Sequence, residues 1–198
     1  MDLVGGKKKI KGKMTHSNIF NADQILIEDV PGEHIIKQNG LGLVSIGKIH
    51  RALEGCACPM GALTREFLKK LKLDENEIAI IDMEAGVEHF GRGIDKNVDT
   101  ILLVVEPSYE SIAIAAKIKE LAGDMNKRLW AVLNKVDSVD TAKKLENKLE
   151  QHHIQLIGMI PNDSMIFKAG LEGRPFAPGE AFRAAGEVLD FVVENIGG

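Results

Sequence analysis

Two cysteines stand one residue apart in Glu54-Gly55-Cys56-Ala57-Cys58-Pro59, and the sequence holds no others. Thiols at that spacing can point at one ion, and the proline suits the first turn of a helix. Cys58 would then lie near a helix N-terminus, where the dipole favours the thiolate, the form that binds a soft or borderline metal. Two sulfurs fill half of a tetrahedral site, so a second copy of the chain across a twofold axis is the economical completion. A pair of buried structural cysteines and a redox pair are competing readings of the same spacing.

Three further segments could handle a phosphate or a base. Asp82-Met83-Glu84-Ala85-Gly86 follows the apolar run Ile78–Ile81. An acid at a strand end can hold Mg²⁺ through water, and a glycine four residues on lets a backbone N–H approach a terminal phosphate. The bland alternative is polar surface. Asn134-Lys135-Val136-Asp137 matches the N-K-x-D pattern in which a carboxylate accepts from two guanine nitrogens. Its alternative is a strand-to-helix turn capped by Asp137 or Ser138. Pro161-Asn162-Asp163 could close over a base edge or simply cap a helical turn. His152-His153 reads as a helix C-terminal pair facing the negative end of the dipole rather than as a ligand set. His89, beside Glu88, could feel a bound nucleotide.

The elements that would position these residues alternate along the chain. Short apolar runs predict strands at Leu41–Ile46, Ile78–Ile81, Thr100–Val105, Leu129–Leu133 and Ile154–Ile160. They are rich in Ile, Leu and Val without strict alternation, as strands buried on both faces are, and none reads as an exposed edge. Apolar positions at three- and four-residue spacing predict helices at Pro59–Lys72, Ser108–Met125, Asp140–His153 and Gly179–Ile196. The fold class is α/β: a three-layer, mostly parallel sheet with helices on both faces. In such sheets ligands bind outside the carboxyl ends of the strands, where all three segments fall. Residues 1–40 read as an irregular lead-in with a weak strand signal at Gln24–Val30, and residues 41–198 as the α/β core of a single domain.

Composition bounds the function. The 198 residues are 44% hydrophobic and 27% charged, ordinary for a globular protein with one core. A net charge of −4 speaks against general nucleic-acid binding, and the lysines at 7, 8, 9, 11 and 13 read as a solvated loop. There is no apolar run of membrane-spanning length and no secretory signal, so a cytoplasmic location is expected. Phe182–Ile196 carries Arg183 but also Glu187, Asp190 and Glu194, which is unlike a basic membrane-binding helix.

Taken together, the segments resemble the CooC-type accessory ATPases of carbon monoxide dehydrogenase maturation, a branch of the MinD/ParA superfamily. The resemblance runs from about Leu41 to the C-terminus. It rests on Gly55-Cys56-Ala57-Cys58-Pro59, the stretch from Asp82-Met83-Glu84-Ala85-Gly86 through Val87-Glu88-His89-Phe90-Gly91-Arg92-Gly93, Val105-Glu106-Pro107-Ser108, Asn134-Lys135, and Leu171-Glu172-Gly173-Arg174-Pro175. It implies a homodimer that binds Ni²⁺ or Zn²⁺ between subunits through Cys56 and Cys58, with carbon monoxide dehydrogenase as client. It implies ATP or ADP with Mg²⁺ as cofactor, sensed by Asp82, Glu84 and Gly86, and flanked at the base by Asn134, Lys135, Pro161 and Asp163. An Asn-Lys pair in this superfamily favours adenine over the guanine that Asp137 alone would suggest.

One part of the family pattern is absent from this sequence. No G-x-x-x-x-G-K-[ST] phosphate loop occurs; Gly12-Lys13-Met14-Thr15 lacks the upstream glycine and the Ser or Thr after the lysine. Without amides to cradle the phosphates and a lysine to offset their charge, neither tight nucleotide binding nor hydrolysis is expected. The family's strand before that loop is central in its sheet, so the resemblance implies a truncated or split form that either re-pairs its strands or leaves backbone groups unpaired. Three rivals remain: a nonenzymatic metal-binding dimerisation module, a GTPase-type nickel chaperone, and a partition or cell-division ATPase.

Overall fold

The computed structural model describes residues 21–46, 58–83, 87, 97–175 and 177–196. Cys56, Glu84, Gly86, His89 and the lysines at 7–13 lie outside the described residues. The chain divides into two compact units, Met1–Asn97 and Val98–Gly198.

In the first unit, β1 (Ile35–Gln38) and β2 (Leu41–Val44) form an antiparallel hairpin. Asn39 and Gly40 join them with φ of 51° and 80°. Positive φ at both turn residues twists the chain in the sense the strands need, and Asn-Gly is the dipeptide that adopts it most readily. The expected strand at Leu41–Ile46 is therefore shorter and antiparallel, and its Leu41 and Leu43 are exposed rather than buried on both faces. Helix α1 (Cys58–Lys70) sends Phe67 into a small core with Ile25, Val30 and Ile35. Ile25 ties the lead-in to the end of α1: its N–H donates to the Lys70 carbonyl and its carbonyl accepts from the Lys72 N–H, both at 2.8 Å. The weak strand signal at Gln24–Val30 yields only that bridge. Beyond it the Asp29 carboxylate accepts from the Leu26 N–H at 2.8 Å and closes a 3₁₀ turn, Ile27–Asp29, a local bond that competes with any ladder. The expected strand Ile78–Ile81 is irregular, with Ile78 and Ile80 exposed. An apolar run becomes a strand only when a neighbour completes its ladder, and among the described residues none does.

The second unit is a parallel sheet with strand order β3 (Thr100–Val105), β4 (Arg128–Val136), β5 (Gln155–Pro161). Helices α2 (Tyr109–Asp124) and α3 (Val139–Gln151) make the crossovers, α4 (Ser164–Glu172) follows β5, and α5 (Glu180–Asn195) closes the unit. Right-handed crossovers put α2 and α3 on one face. There Leu103, Val105, Ala131 and Leu133 meet the buried Ile112, Ala115, Ile118, Ala142, Leu145 and Leu149. On the opposite face Trp130 stands edge-on to Phe191 of α5, ring centroids 5.3 Å apart. The α5 backbone comes close over β5 because Gly158 has no side chain: a Cβ there would overlap Val188 Cγ2. Among the described residues, none covers the β3 end of that face fully. Leu102 and Val104 are 42% and 59% exposed.

The three parallel strands and the crossover helices thus fall where the hydrophobic pattern put them, within three residues at each end. The edge assignment differs: β3 has β4 as its one ladder partner among the described residues and alternates buried with exposed. Where the sequence predicts only a capped helical turn, helix α4 forms; its nine residues are short for a periodic signal. None of the described helices is long and apolar enough to cross a membrane.

Trp130 is the single tryptophan and lies beside the α5 seat, so its fluorescence reports this unit alone. Gly158→Val should lower stability to urea by about 1–3 kcal/mol through overpacking against Val188. Adding Val188→Ala should recover most of the loss; a Gly158→Val chain as stable as the parent would refute the close seat.

Candidate functional site

The loops that leave the carboxyl ends of β3, β4 and β5 are held by a small set of polar contacts. At the end of β4 the register with β5 slips by one residue between Leu133 and Val136, and Lys135 takes φ +55° inside that bulge. A bulge re-aims side chains at a strand end. Lys135 Nζ meets Glu106 Oε1, just past β3, at 2.7 Å, with both side chains about half exposed. The Glu106 N–H donates to Ser111 Oγ at 3.0 Å, and Ser108 Oγ accepts from the Ser111 N–H at 3.0 Å, capping α2. The strand-end glutamate is thereby fixed by the first turn of the following helix.

A second clasp joins β4 to β5. Asn162 Nδ2 donates to Asp137 Oδ1 at 3.0 Å, and the Asn162 N–H donates to the Val136 carbonyl at 3.1 Å. Next door, Asp163 caps α4: its Oδ1 accepts from the Met165 N–H at 2.8 Å. A Cβ on Gly179 would stand 2.8 Å from Asp163 Oδ2, so the start of α5 also passes close to this cap. Asn134, Lys135, Asp137, Pro161, Asn162 and Asp163 therefore share one rim of the second unit. Asp137 does not cap α3; Ser138 does, its Oγ accepting from the Thr141 N–H at 3.2 Å.

This geometry bears on which base the rim would suit. A guanine reader needs its carboxylate free for two donors. One oxygen of Asp137 is already engaged by Asn162. Lys135, in turn, is neutralised by Glu106. Glu106 and Asn162 fall within segments that the sequence singles out, but the pattern assigns neither a role of its own; their partners Lys135 and Asp137 come from the next strand end.

Asp82, in the first unit, is exposed and lies in an irregular segment. Its companions Glu84 and Gly86 are outside the described residues. Cys58 opens α1, as its expected place at a helix N-terminus requires, while Cys56 is outside the described residues. His152 ends α3 as its C-cap and His153 follows at φ +54°, both exposed, in the place the sequence indicated.

No family model matches this chain. Among curated proteins, it is 41% identical over 178 residues to an uncharacterized ATP-binding protein of Methanocaldococcus jannaschii, covering 87% of this chain and 70% of that protein. A second such protein from that organism is 31% identical over 182 residues, covering 91% and 70%. The carbon monoxide dehydrogenase accessory protein CooC of Rhodospirillum rubrum is 36% identical over 148 residues, covering 74% of this chain and 56% of CooC. Among solved structures, the cell division ATPase MinD of Pyrococcus furiosus superposes with a TM-score of 0.60 at 18% identity, over 98% of this chain and 83% of MinD. MinD of Pyrococcus horikoshii, solved with Mg-ADP, gives 0.59 at 16%, over 96% and 80%. The parallel sheet with helices on both faces, its strand-end polar rim, and these relatives together place the chain in the CooC-type family of MinD/ParA-like ATP-binding proteins.

Proposed function

We propose that this protein is a metallochaperone for carbon monoxide dehydrogenase, which carries Ni²⁺ or Zn²⁺ on Cys56 and Cys58 shared between two copies. The observation that carries it is the Cys56-Ala57-Cys58 sequence, with Cys58 at the start of α1, in a chain 36% identical to CooC. Four thiolates from two chains complete a tetrahedral site, and the ion is cargo to be handed on. The helix N-terminus at Cys58 favours the thiolate over the thiol. In this reading residues 1–198 act as one cytoplasmic nucleotide-binding domain, with neither nucleic acid nor membrane as partner.

ATP or ADP with Mg²⁺ is the proposed cofactor. Asp82, Glu84 and Gly86 would sense Mg²⁺ and the terminal phosphate, while Asn134, Lys135, Pro161 and Asp163 would border the base. The Asp137–Asn162 clasp supports adenine, because it engages one oxygen of the carboxylate on which a GTPase-type nickel chaperone would depend. Hydrolysis needs a phosphate-cradling loop, and this sequence has none, so the chain by itself should hold metal without turning over ATP. A nonenzymatic metal-binding dimer is the second reading, favoured by that same missing loop.

Titrating the reduced chain with Ni²⁺ or Zn²⁺ should give one metal per two chains, with the mass doubling by light scattering. The Cys56→Ala/Cys58→Ala chain should do neither, and identical behaviour of the two would rule out the shared thiolate site. At millimolar concentration with Mg²⁺, ATP should shift the side-chain amide NMR signals of Asn134 and Asn162 more than GTP does. Larger shifts with GTP would transfer the proposal to a guanine-reading chaperone, and no shift with either would leave the nonenzymatic dimer.

A further inference from the structure

The amino ends of β4 and β5, opposite the rim, border a cleft of about 580 Å³ whose lining is rich in cations. That volume suits a small molecule. The lining belongs wholly to the second unit, where only residues 176, 197 and 198 lie outside the described ones. Lys119 comes from the C-terminal half of α2, Lys127 and Arg128 from the entry to β4, and His153 from the entry to β5. Among the described residues, Glu194 is the one acid in that lining, in a chain whose net charge is −4.

The backbone delivers two of these groups by the same device, because α2 and α3 both end in a Schellman turn. The Asn126 N–H donates to the Gly123 carbonyl and the Lys127 N–H to the Ala122 carbonyl, at 3.0 and 2.9 Å. The N–H groups of His153 and Ile154 repeat both bonds to the Glu150 and Leu149 carbonyls, at 2.9 and 3.0 Å. The left-handed position in such a turn, which glycine fills at least cost, is held by Asn126 at φ 53° and His153 at φ 54°. A histidine there gives up backbone ease and brings an imidazole to the cleft wall.

The fold does not consume these cations. Lys117 of α2 is paired with Glu120 at 2.7 Å, whereas among the described residues Lys119 and Lys127 have no ion partner, though both are partly buried. The last carbonyls of α2 and α3 accept from the Schellman turns, and that of Asn195 in α5 accepts from Arg128, so neither lysine is needed as a cap. Arg128 is oriented a second time by Trp130, its guanidinium 5.4 Å from the ring centroid.

We propose that this cleft binds a small organic oxyanion carrying two or more negative charges, a phosphate ester or a polycarboxylate. Lys119 and Lys127 supply point charges, Arg128 a planar guanidinium already aimed by Trp130, and His153 and Gln155 further N–H donors. Phe191 and Trp130 form an apolar wall beside them, which suits an anion with a carbon skeleton. The cleft involves neither the cysteines nor the rim: Trp130 precedes Asn134 by four residues, roughly 13 Å along a strand.

Trp130, the single tryptophan, stands in the cleft wall and reports its occupancy. The Cys56→Ala/Cys58→Ala chain is titrated separately with pyrophosphate and with citrate, at an ionic strength held constant with chloride. At least one should change the Trp130 fluorescence saturably, with half-saturation at about 0.1–1 mM. The tighter of the two tells a phosphate ligand from a carboxylate one. Lys119→Gln/Lys127→Gln should raise the half-saturation concentration at least about tenfold with the circular dichroism unchanged. Glu194→Gln removes the like charge and should lower it about threefold, a gain that a damaged fold could not produce. A response that follows ionic strength alone, a half-saturation unmoved by the lysine exchanges, or weaker binding by Glu194→Gln would overturn the proposal. So would pyrophosphate that shifts the side-chain amide signals of Asn134 and Asn162 without moving Trp130, since it would then occupy the rim. Metal binding by the parent chain is untouched by any of these results.

Discussion

A parallel strand can be fully buried only if it has ladder partners on both edges and cover on both faces, and β4 meets all four conditions. Leu129 through Leu133 are buried without interruption, between α2 and α3 on one side and α5 on the other. The second unit is organised around this strand. Trp130 sets the seat of α5, Arg128 at its start lies over the Trp130 ring and donates to the Asn195 carbonyl at the end of α5, and its far end delivers Asn134 and Lys135 to the rim. The bulge at Lys135 is where burial ends and re-aiming begins.

Polar contacts between neighbouring strand ends hold the rim in shape. Its contacts link adjacent strands, Glu106 to Lys135 across β3 and β4, and Asp137 to Asn162 across β4 and β5. The ion pair is half exposed, so its worth in stability is small; its effect is to decide where the two side chains stand. The Asp137–Asn162 bond changes the meaning of a familiar motif. The same four letters that read guanine elsewhere are here part of a loop-to-loop tie. Motif letters specify donors and acceptors, but only neighbours decide which of them remain free.

The edges of both units are where apolar sequence outruns the available cover. Leu102 and Val104 on β3, Ile78 and Ile80 in the irregular segment, and Phe182, Leu189 and Val193 on α5 are all exposed. Exposed apolar residues scattered singly are ordinary, whereas residues in register on one face mark an interaction surface. The β3 pair belongs to a sheet whose parallel geometry favours a neighbour on that side. The α5 residues belong to a helix seated on the sheet by its other face.

The sequence by itself determined the fold class, the three parallel strands and the crossover helices, because a run of Ile, Leu and Val between helical repeats has few ways to be buried. It also located the rim, since polar residues that end such runs must fall at the carboxyl edge of the sheet. Asn39-Gly40 is a dipeptide that favours positive φ, but residues 1–40 read as an irregular lead-in, so strand β1 and the hairpin come from the structure. Only the tertiary structure decided which of the described strands are edges, that Ile78–Ile81 stays irregular, that Asp137 is engaged by Asn162, and that α5 seats closely on β5 at Gly158. Each of these depends on which groups arrive from distant parts of the chain. A residue's type and spacing fix what it can bond, but its actual partner is set by burial and geometry that no local pattern contains.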